Sequence, residues 1–206
     1  MPIHPVCRLF TSNDPESIMN PNQFASIKQY VRLREDTTMD TLILREVRAD
    51  ELDACAAMIR ESFLTVAEEF GLTPENCATN GAFLPVERLV NDFTNGNIMF
   101  GVFADWDRPV GFMQLRDKGE GVFSLEKLCV LPGWRHDGIG AKLLEKARTE
   151  AIRLGGHKIT IGIIEENTRL KDWYLLNGFV HTGTIDLPHL PFIVGFMELP
   201  LNCREM

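Results

Sequence analysis

The stretch Arg135-His136-Asp137-Gly138-Ile139-Gly140-Ala141 sets two glycines where an apolar run, Leu125 to Leu131, gives way to a helix-forming segment. Glycines there let backbone N–H groups approach an anion at the positive end of a helix dipole, which is chemistry suited to a phosphate. The spacing R-x-x-G-x-G is neither G-x-G-x-x-G nor G-x-x-x-x-G-K-[ST], so neither of those nucleotide-binding loops is present. The same residues would also serve a tight strand-to-helix turn that simply needs glycine. Lys142, in the first turns of the helix, can reach toward a bound anion or remain solvated. Farther along, Asn167-x-x-Leu170-x-x-Trp173-Tyr174-x-x-x-Gly178-Phe179 brings an amide, an indole and a phenol together at helical spacing.

The elements that must position these residues follow from the hydrophobic periodicity. Thr41–Val47 reads as a first strand, and Asp50 is the expected N-cap of a helix that carries Leu52, Cys55, Ala56, Ile59, Phe63, Val66 and Phe70 and stops at Gly71. Leu72 to Phe83 reads as irregular, and Pro85 to Phe93 as a short helix. Ile98–Ala104 and Pro109–Leu115 form an expected hairpin around Asp105-Trp-Asp-Arg108. Phe123–Leu131 is the next strand. The main helix runs from Gly138 to Leu154, with Ile139, Leu143, Leu144, Ala147, Ala151 and Leu154 on one stripe. A strand over Lys158–Ile164, a helix over Arg169–Asn177 and strands over Phe179–Ile185 and Phe192–Leu199 complete the chain. This order predicts an α/β (α+β) architecture, a mixed sheet with helices on both faces. Residues 1–38 differ in composition, with turn signals at Ser12-Asn-Asp-Pro15 and Asn20-Pro-Asn22, and are expected to be a loosely ordered extension of a domain spanning 39–206.

The net charge of −8 and the lack of a basic cluster argue against nucleic acid as a partner. No stretch approaches the ~20 apolar residues of a membrane helix, and no signal peptide is evident, so no membrane partner is expected. The cysteines Cys7, Cys55, Cys77, Cys129 and Cys203 are odd in number and widely spaced, which suggests neither a disulfide framework nor a metal site. A reducing, cytoplasmic setting fits them. Cys77 and Cys129 read as small buried apolar residues, because no histidine partner is apparent for either.

Together, Leu128-Cys-Val-Leu-Pro-x-x-Arg-x-x-Gly-x-Gly140 and the Asn167 to Phe179 motif resemble the GNAT superfamily of acyl-CoA-dependent N-acyltransferases. The resemblance covers roughly residues 40 to 200 in element order and is most specific from about 123 to 199. It implies a mostly antiparallel sheet splayed between two parallel central strands, Leu125–Leu131 and Lys158–Ile164. In such a gap Leu128, Cys129 and Val130 would run along the pantetheine arm of acetyl-CoA. Arg135, His136, Asp137, Gly138, Ile139, Gly140 and Ala141 would wrap its pyrophosphate. Asn167 matches the asparagine that contacts the arm near the thioester, and helix capping is its other role. Tyr174 matches the general acid that protonates the departing thiolate, and packing on the sheet beside Trp173 is its other role.

Glu126, expected to share strand parity with Leu128 and Val130, is the first candidate base, and an ion pair or an exposed carboxylate is the equally weighted alternative. Two positions depart from the family pattern. Gly162 stands where many relatives have a carboxylate, and Asp137 sets a negative charge beside the expected pyrophosphate unless it points away or pairs with Arg135. Glu165 and Glu166 in the connecting loop are further acids. The family's acceptor pocket maps onto Phe63 to Phe83 and Leu187 to Phe192, where Asn76, Thr79, Asn80 and His189 are the polar candidates. The implied activity is acetyl transfer from acetyl-CoA to the primary amine of a small molecule, without a metal. Acetylation of a protein N-terminus or lysine, or acyl-CoA sensing without turnover, are the alternatives. Oligomeric state stays open, with a homodimer as the base-rate expectation.

Overall fold

The computed structural model describes residues 42–201. The expected extension over 1–38 lies outside the described residues. Seven strands form one sheet: β1 (Ile43–Glu46), β2 (Ile98–Ala104), β3 (Arg108–Asp117), β4 (Val122–Val130), β5 (Lys158–Ile164), β6 (Val180–Asp186) and β7 (Ile193–Pro200). Among the described residues five α-helices accompany them: α1 (Leu52–Glu69), α2 (Pro74–Cys77), α3 (Val86–Thr94), α4 (Ile139–Arg153) and α5 (Thr168–Leu176). The strand order is β1-β2-β3-β4-β5-β7-β6. Every neighbouring pair is antiparallel except β4 and β5, which are parallel. This is the expected mixed α/β architecture, a mostly antiparallel sheet with a parallel pair at its centre.

Helices cover the sheet on two sides because each carries an apolar stripe. The α4 residues Ile139, Leu143, Leu144, Ala147 and Ala151 are buried in one cluster with Phe123, Leu125, Ile159, Ile161 and Met197, and Tyr174 of α5 joins that cluster. On the opposite face, Leu52, Cys55, Ala56 and Ile59 of α1 and Leu89 of α3 pack with Met99, Phe103 and Phe112. A third cluster joins Ala67, Leu72 and Cys77 to Ile164, with Leu190 and Phe192 of the β6–β7 loop packed against it.

Two local expectations change. The residue that organises the start of α1 is Glu51 rather than Asp50. The Glu51 carboxylate accepts from Arg48 N–H at 2.9 Å and takes both terminal nitrogens of Arg45, at 2.7 and 2.6 Å. A charge-assisted pair holds this buried acid where an exposed Asp50 could not. The segment after Gly71 also contains more structure than its composition suggests. Thr73 Oγ1 accepts from Asn76 N–H and Asn76 Oδ1 accepts from Thr73 N–H, a reciprocal cap with proline at the first turn of α2.

The feature that positions the site is the brevity of the central parallel ladder. β4 and β5 are paired only through Val122, Phe123 and Ser124 against Lys158, Ile159 and Thr160, and Thr160 Oγ1 donates to the Phe123 carbonyl at 3.3 Å. Beyond Leu125 and Ile161 the two strands part. β4 stays paired to β3 and β5 to β7, so the facing edges of the diverging segments have no strand between them.

Candidate active site

A β-bulge lies at the point of divergence. Gln114 pairs with Glu126 and Phe112 with Cys129, so one extra β4 residue is accommodated between those pairs. Lys127 absorbs it by adopting φ +54°, a left-handed conformation uncommon for a side-chain-bearing residue. The bulge breaks the simple alternation assumed in the sequence. Leu128 and Val130 pack toward the α4 face and Cys129 toward the α1 face. Leu125, just before the bulge, also lies on the α4 face. Glu126 therefore does not share parity with Leu128 and Val130. It lies on the opposite side, toward α3. Strand parity holds only along an uninterrupted strand, and nothing in the residue types marked the interruption.

The gap opens into a cleft of about 450 Å³ that passes from the α1–α3 side to α5. Its walls include Glu126, Lys127 and Leu128 of β4, Gly162 of β5, and Asn167 and Tyr174 at α5. An open strand edge in such a gap can accept an extended amide chain as another strand would.

At the wide end of the gap, β4 turns through Pro132–Trp134 into α4. His136 at φ +72° and Gly138 at φ +77° reverse the chain so that the helix starts at Ile139. Lys142 N–H donates to the Gly138 carbonyl at 3.1 Å. By helix geometry, the amides before it lack acceptors within the helix. Ile139 points into the core at 1% exposure, so only its backbone can meet a ligand. A Cβ at Gly140 would lie 3.5 Å from Trp173 and 3.9 Å from Val130, ordinary contact distances that put the start of α4 beside both β4 and α5.

Arg135 serves this turn through its side chain in a way the motif did not reveal. Its guanidinium donates to the Val130 carbonyl at 3.1 Å, the Ser62 carbonyl at 2.8 Å and Thr65 Oγ1 at 3.1 Å. It ties the turn to β4 and α1, so this guanidinium is committed to protein oxygens. Asp137 and Lys142 are exposed, and no Asp137–Arg135 pair forms.

Asn167 is buried and caps α5, with Oδ1 accepting from Leu170 N–H at 3.1 Å. It also lines the cleft, so capping and ligand contact are compatible. Tyr174 is 6% exposed and held edge-on by Trp173 and Phe179, with ring centroids 4.9 and 5.0 Å away. Its hydroxyl takes no hydrogen bond among the described residues, and burial holds the phenol well above its ordinary pKa. It is thus a protonated donor in a cleft. Burial also pushes the Cys129 thiol up to about 12, and that of Cys55 likewise. Both are neutral at physiological pH, which fits packing rather than nucleophilic attack.

The remaining candidates separate. Thr79 and Asn80 line the cleft, and Asn80 also caps the 3-10 turn at Gly81 through Ala82 N–H. Asn76 is committed to Thr73 and to the Gly71 carbonyl and lies outside the lining. His189 is exposed and likewise outside it. Glu165 pairs with Lys171 and, at 3.0 Å, with His181, and these partners hold its carboxyl below the usual range. Glu166 accepts from Ile193 N–H at 3.1 Å. Glu126 remains the acid in the cleft wall. Around it stand groups that the sequence reading missed: Gln114, Asp92 and Lys127. Gln114 Nε2 donates to Glu126 Oε2 at 3.1 Å and to Asp92 Oδ2 at 3.3 Å. Lys127 Nζ meets Asp92 at 2.8 Å and Gln114 Oε1 at 3.1 Å. The one available signal was a lone glutamine in the apolar run from Val110 to Leu115.

This architecture has relatives. A peptidyl-lysine N-acetyltransferase of Salmonella typhimurium is 35% identical over 105 residues, covering 51% of this chain and 66% of that protein. An uncharacterised N-acetyltransferase of Mycobacterium tuberculosis is 31% identical over 77 residues, 37% of this chain and 49% of the relative. The matches thus span about half to two thirds of the length of these relatives. Among solved structures, the PaiA N-acetyltransferase of Thermoplasma acidophilum, in complex with coenzyme A, superposes with a TM-score of 0.66 at 22% identity, covering 78% of this chain and 99% of that one. The profile of the acetyltransferase (GNAT) family matches residues 66–179, from the last turn of α1 to the residue before β6, and the chain belongs to that family.

Proposed function

We propose that the protein transfers an acetyl group from acetyl-CoA to the primary amine of a small molecule, by direct attack in a ternary complex. The observation that carries the reading is the β4–β5 gap, with a protonated Tyr174 in its wall, whose hydroxyl bonds to nothing among the described residues, and the amides of the α4 turn at its wide end. The pantetheine arm would lie along the open edge of Leu128–Val130, with Asn167 beside it. The pyrophosphate would sit on the Gly138–Ala141 amides, where the helix dipole and unpaired donors favour an anion.

In the reaction, the acceptor ammonium gives a proton to Glu126, and its nitrogen attacks the thioester carbon. The C–N bond forms and the C–S bond breaks. Its electron pair leaves on sulfur, which takes the Tyr174 proton, and the nitrogen, which still carries two hydrogens after attack, releases one of them to solvent as the neutral amide forms. Return of the Glu126 proton to Tyr174 through solvent resets both groups. Holding amine and thioester in contact supplies much of the rate. A small acceptor is favoured by the apolar closure of the α1 side, where Phe63, Val66, Leu190 and Phe192 all line the cleft. The peptidyl-lysine activity of the Salmonella relative supports a second reading, in which the acceptor is a lysine side chain.

Release of CoA thiol from acetyl-CoA, measured with a panel of small amines and with lysine-containing peptides, separates these. Turnover with small amines at lower KM than with peptides is expected. Preference for peptides would replace the first reading with the second, and binding of acetyl-CoA without turnover on either panel would remove both.

A further inference from the structure

Gln114 is fully buried, at 0% exposure, between Met113 and Leu115 in the apolar run Val110–Leu115 of β3. A primary amide costs free energy in such a place unless its donors and acceptor are satisfied. Here three bonds satisfy it, and all go to charged groups of the cleft wall: Nε2 to Glu126 and Asp92, and Oε1 from Lys127. The Lys127 ammonium leans toward Asp92, at 2.8 Å, more than toward Glu126, at 3.6 Å. Asp92 and Lys127 therefore largely neutralise each other, and the group that holds Glu126 is the glutamine amide.

Only Oε2 of Glu126 is held in this way. Its Oε1 takes no hydrogen bond among the described residues, and the side chain keeps 30% exposure at the cleft. The backbone arrangement has the same result. The bulge at Lys127 turns Glu126 to the α3 side, and the β3–β4 register sets Gln114 directly opposite it. Asp92, reaching from α3, and Lys127, reaching from the bulge, close the ring around the amide.

We propose that Gln114 is a positioning residue for acetyl transfer: its amide fixes the Glu126 carboxylate through Oε2 and leaves Oε1 aimed into the cleft for the acceptor ammonium. This rests on the reading of Glu126 as the proton acceptor. Gln114 itself makes and breaks no bond. The proton moves from the acceptor nitrogen to Glu126, while the amide keeps the carboxylate from rotating toward Lys127. Asp92 draws the ammonium away and so is part of the same device.

The test is a double-mutant cycle on kcat between Gln114→Met and Glu126→Gln, with acetyl-CoA and the best small amine of the panel. Methionine keeps the length and volume of glutamine and removes every donor. Loss of a hydrogen bond to a charged group predicts a fall in kcat of roughly 10–100-fold for Gln114→Met, with the KM for acetyl-CoA unchanged. In the double variant kcat should be no lower than in Glu126→Gln alone, since the amide has nothing left to position. Gln114→Leu is the second variant should the methionine protein fold poorly, because it likewise removes the NH2 donor and adds no charge beside Asp92 and Glu126. The same fall and the same coupling are expected. Additive losses in the cycle, or a lower melting temperature with kcat unchanged, would overturn the positioning role and leave the transferase reading intact. If Glu126→Gln alone leaves kcat unchanged, the base assignment itself fails, and the role of Gln114 falls with it.

Discussion

Tyr174 sits among contacts that a phenylalanine would keep. The edge-on packing against Trp173 and Phe179 uses only the ring, and the hydroxyl bonds to nothing among the described residues. Tyr174→Phe therefore isolates one oxygen. Its kcat is expected to fall by roughly 10²–10⁴-fold, the usual range for a positioned proton donor, while the Kd for CoA stays within about twofold. Because burial raises the phenol pKa, the donor stays protonated throughout the neutral range, and its deprotonation contributes no basic limb there. A steady-state and calorimetric comparison checks this, and an unchanged kcat would exclude Tyr174 from the chemistry. Tyr174 was legible in the sequence because its spacing from Asn167 to Gly178-Phe179 is local. Gln114 was not. Its role depends on Asp92, twenty-two residues away, and on Glu126, twelve away, and no local pattern encodes such a meeting. Arg135 lies between these cases: its position was legible, but its partners Ser62 and Thr65 come from α1.

Elements were legible where periodicity was strong and illegible where one residue broke it. The stripe on α4 and the apolar strands β2, β3 and β5 could be read directly. The β4 bulge could not, because Lys127 is an ordinary residue type in an unusual conformation, stabilised by Asp92 and Gln114 rather than by its own preference. The turn into α4 lies at the other extreme. Gly138 has φ +77°, and a Cβ there would meet nothing within 4 Å. Any penalty for Gly138→Ala is thus conformational, about 1–2 kcal/mol, which for a chain of this size lowers the melting temperature by roughly 2–8 °C. If the turn amides bind pyrophosphate, the substitution also weakens CoA binding, because the chain relieves the strain by moving those amides. Differential scanning fluorimetry and isothermal titration are expected to show both effects. A lowered melting temperature with unaltered CoA affinity would place the phosphate elsewhere.

At the scale of the molecule, the sheet is two antiparallel blocks, β1–β4 and β5–β7, joined by a parallel ladder three residues long on each strand. Helices α1 and α3 pack on the first block, while the α4–α5 cluster takes residues from both. A pantetheine arm in the gap would act as the missing strand and tie the blocks together where their own hydrogen bonds stop. Its effect on stability should then be local as well as global. Free CoA at about a hundred times its Kd adds about 2.7 kcal/mol to the folded state, or a rise in melting temperature of roughly 5–11 °C. Local protection discriminates further. Hydrogen exchange with CoA bound is expected to slow most at residues 125–130 of β4, residues 161–164 of β5 and the first turn of α4. The β1–β2 ladder, already paired along its length, should change least. Binding that protects the whole sheet uniformly would mean that the ligand stabilises the fold without entering the gap. Protection confined to the α4 turn would mean that phosphate alone is recognised, and that the open strand edges serve some other chain.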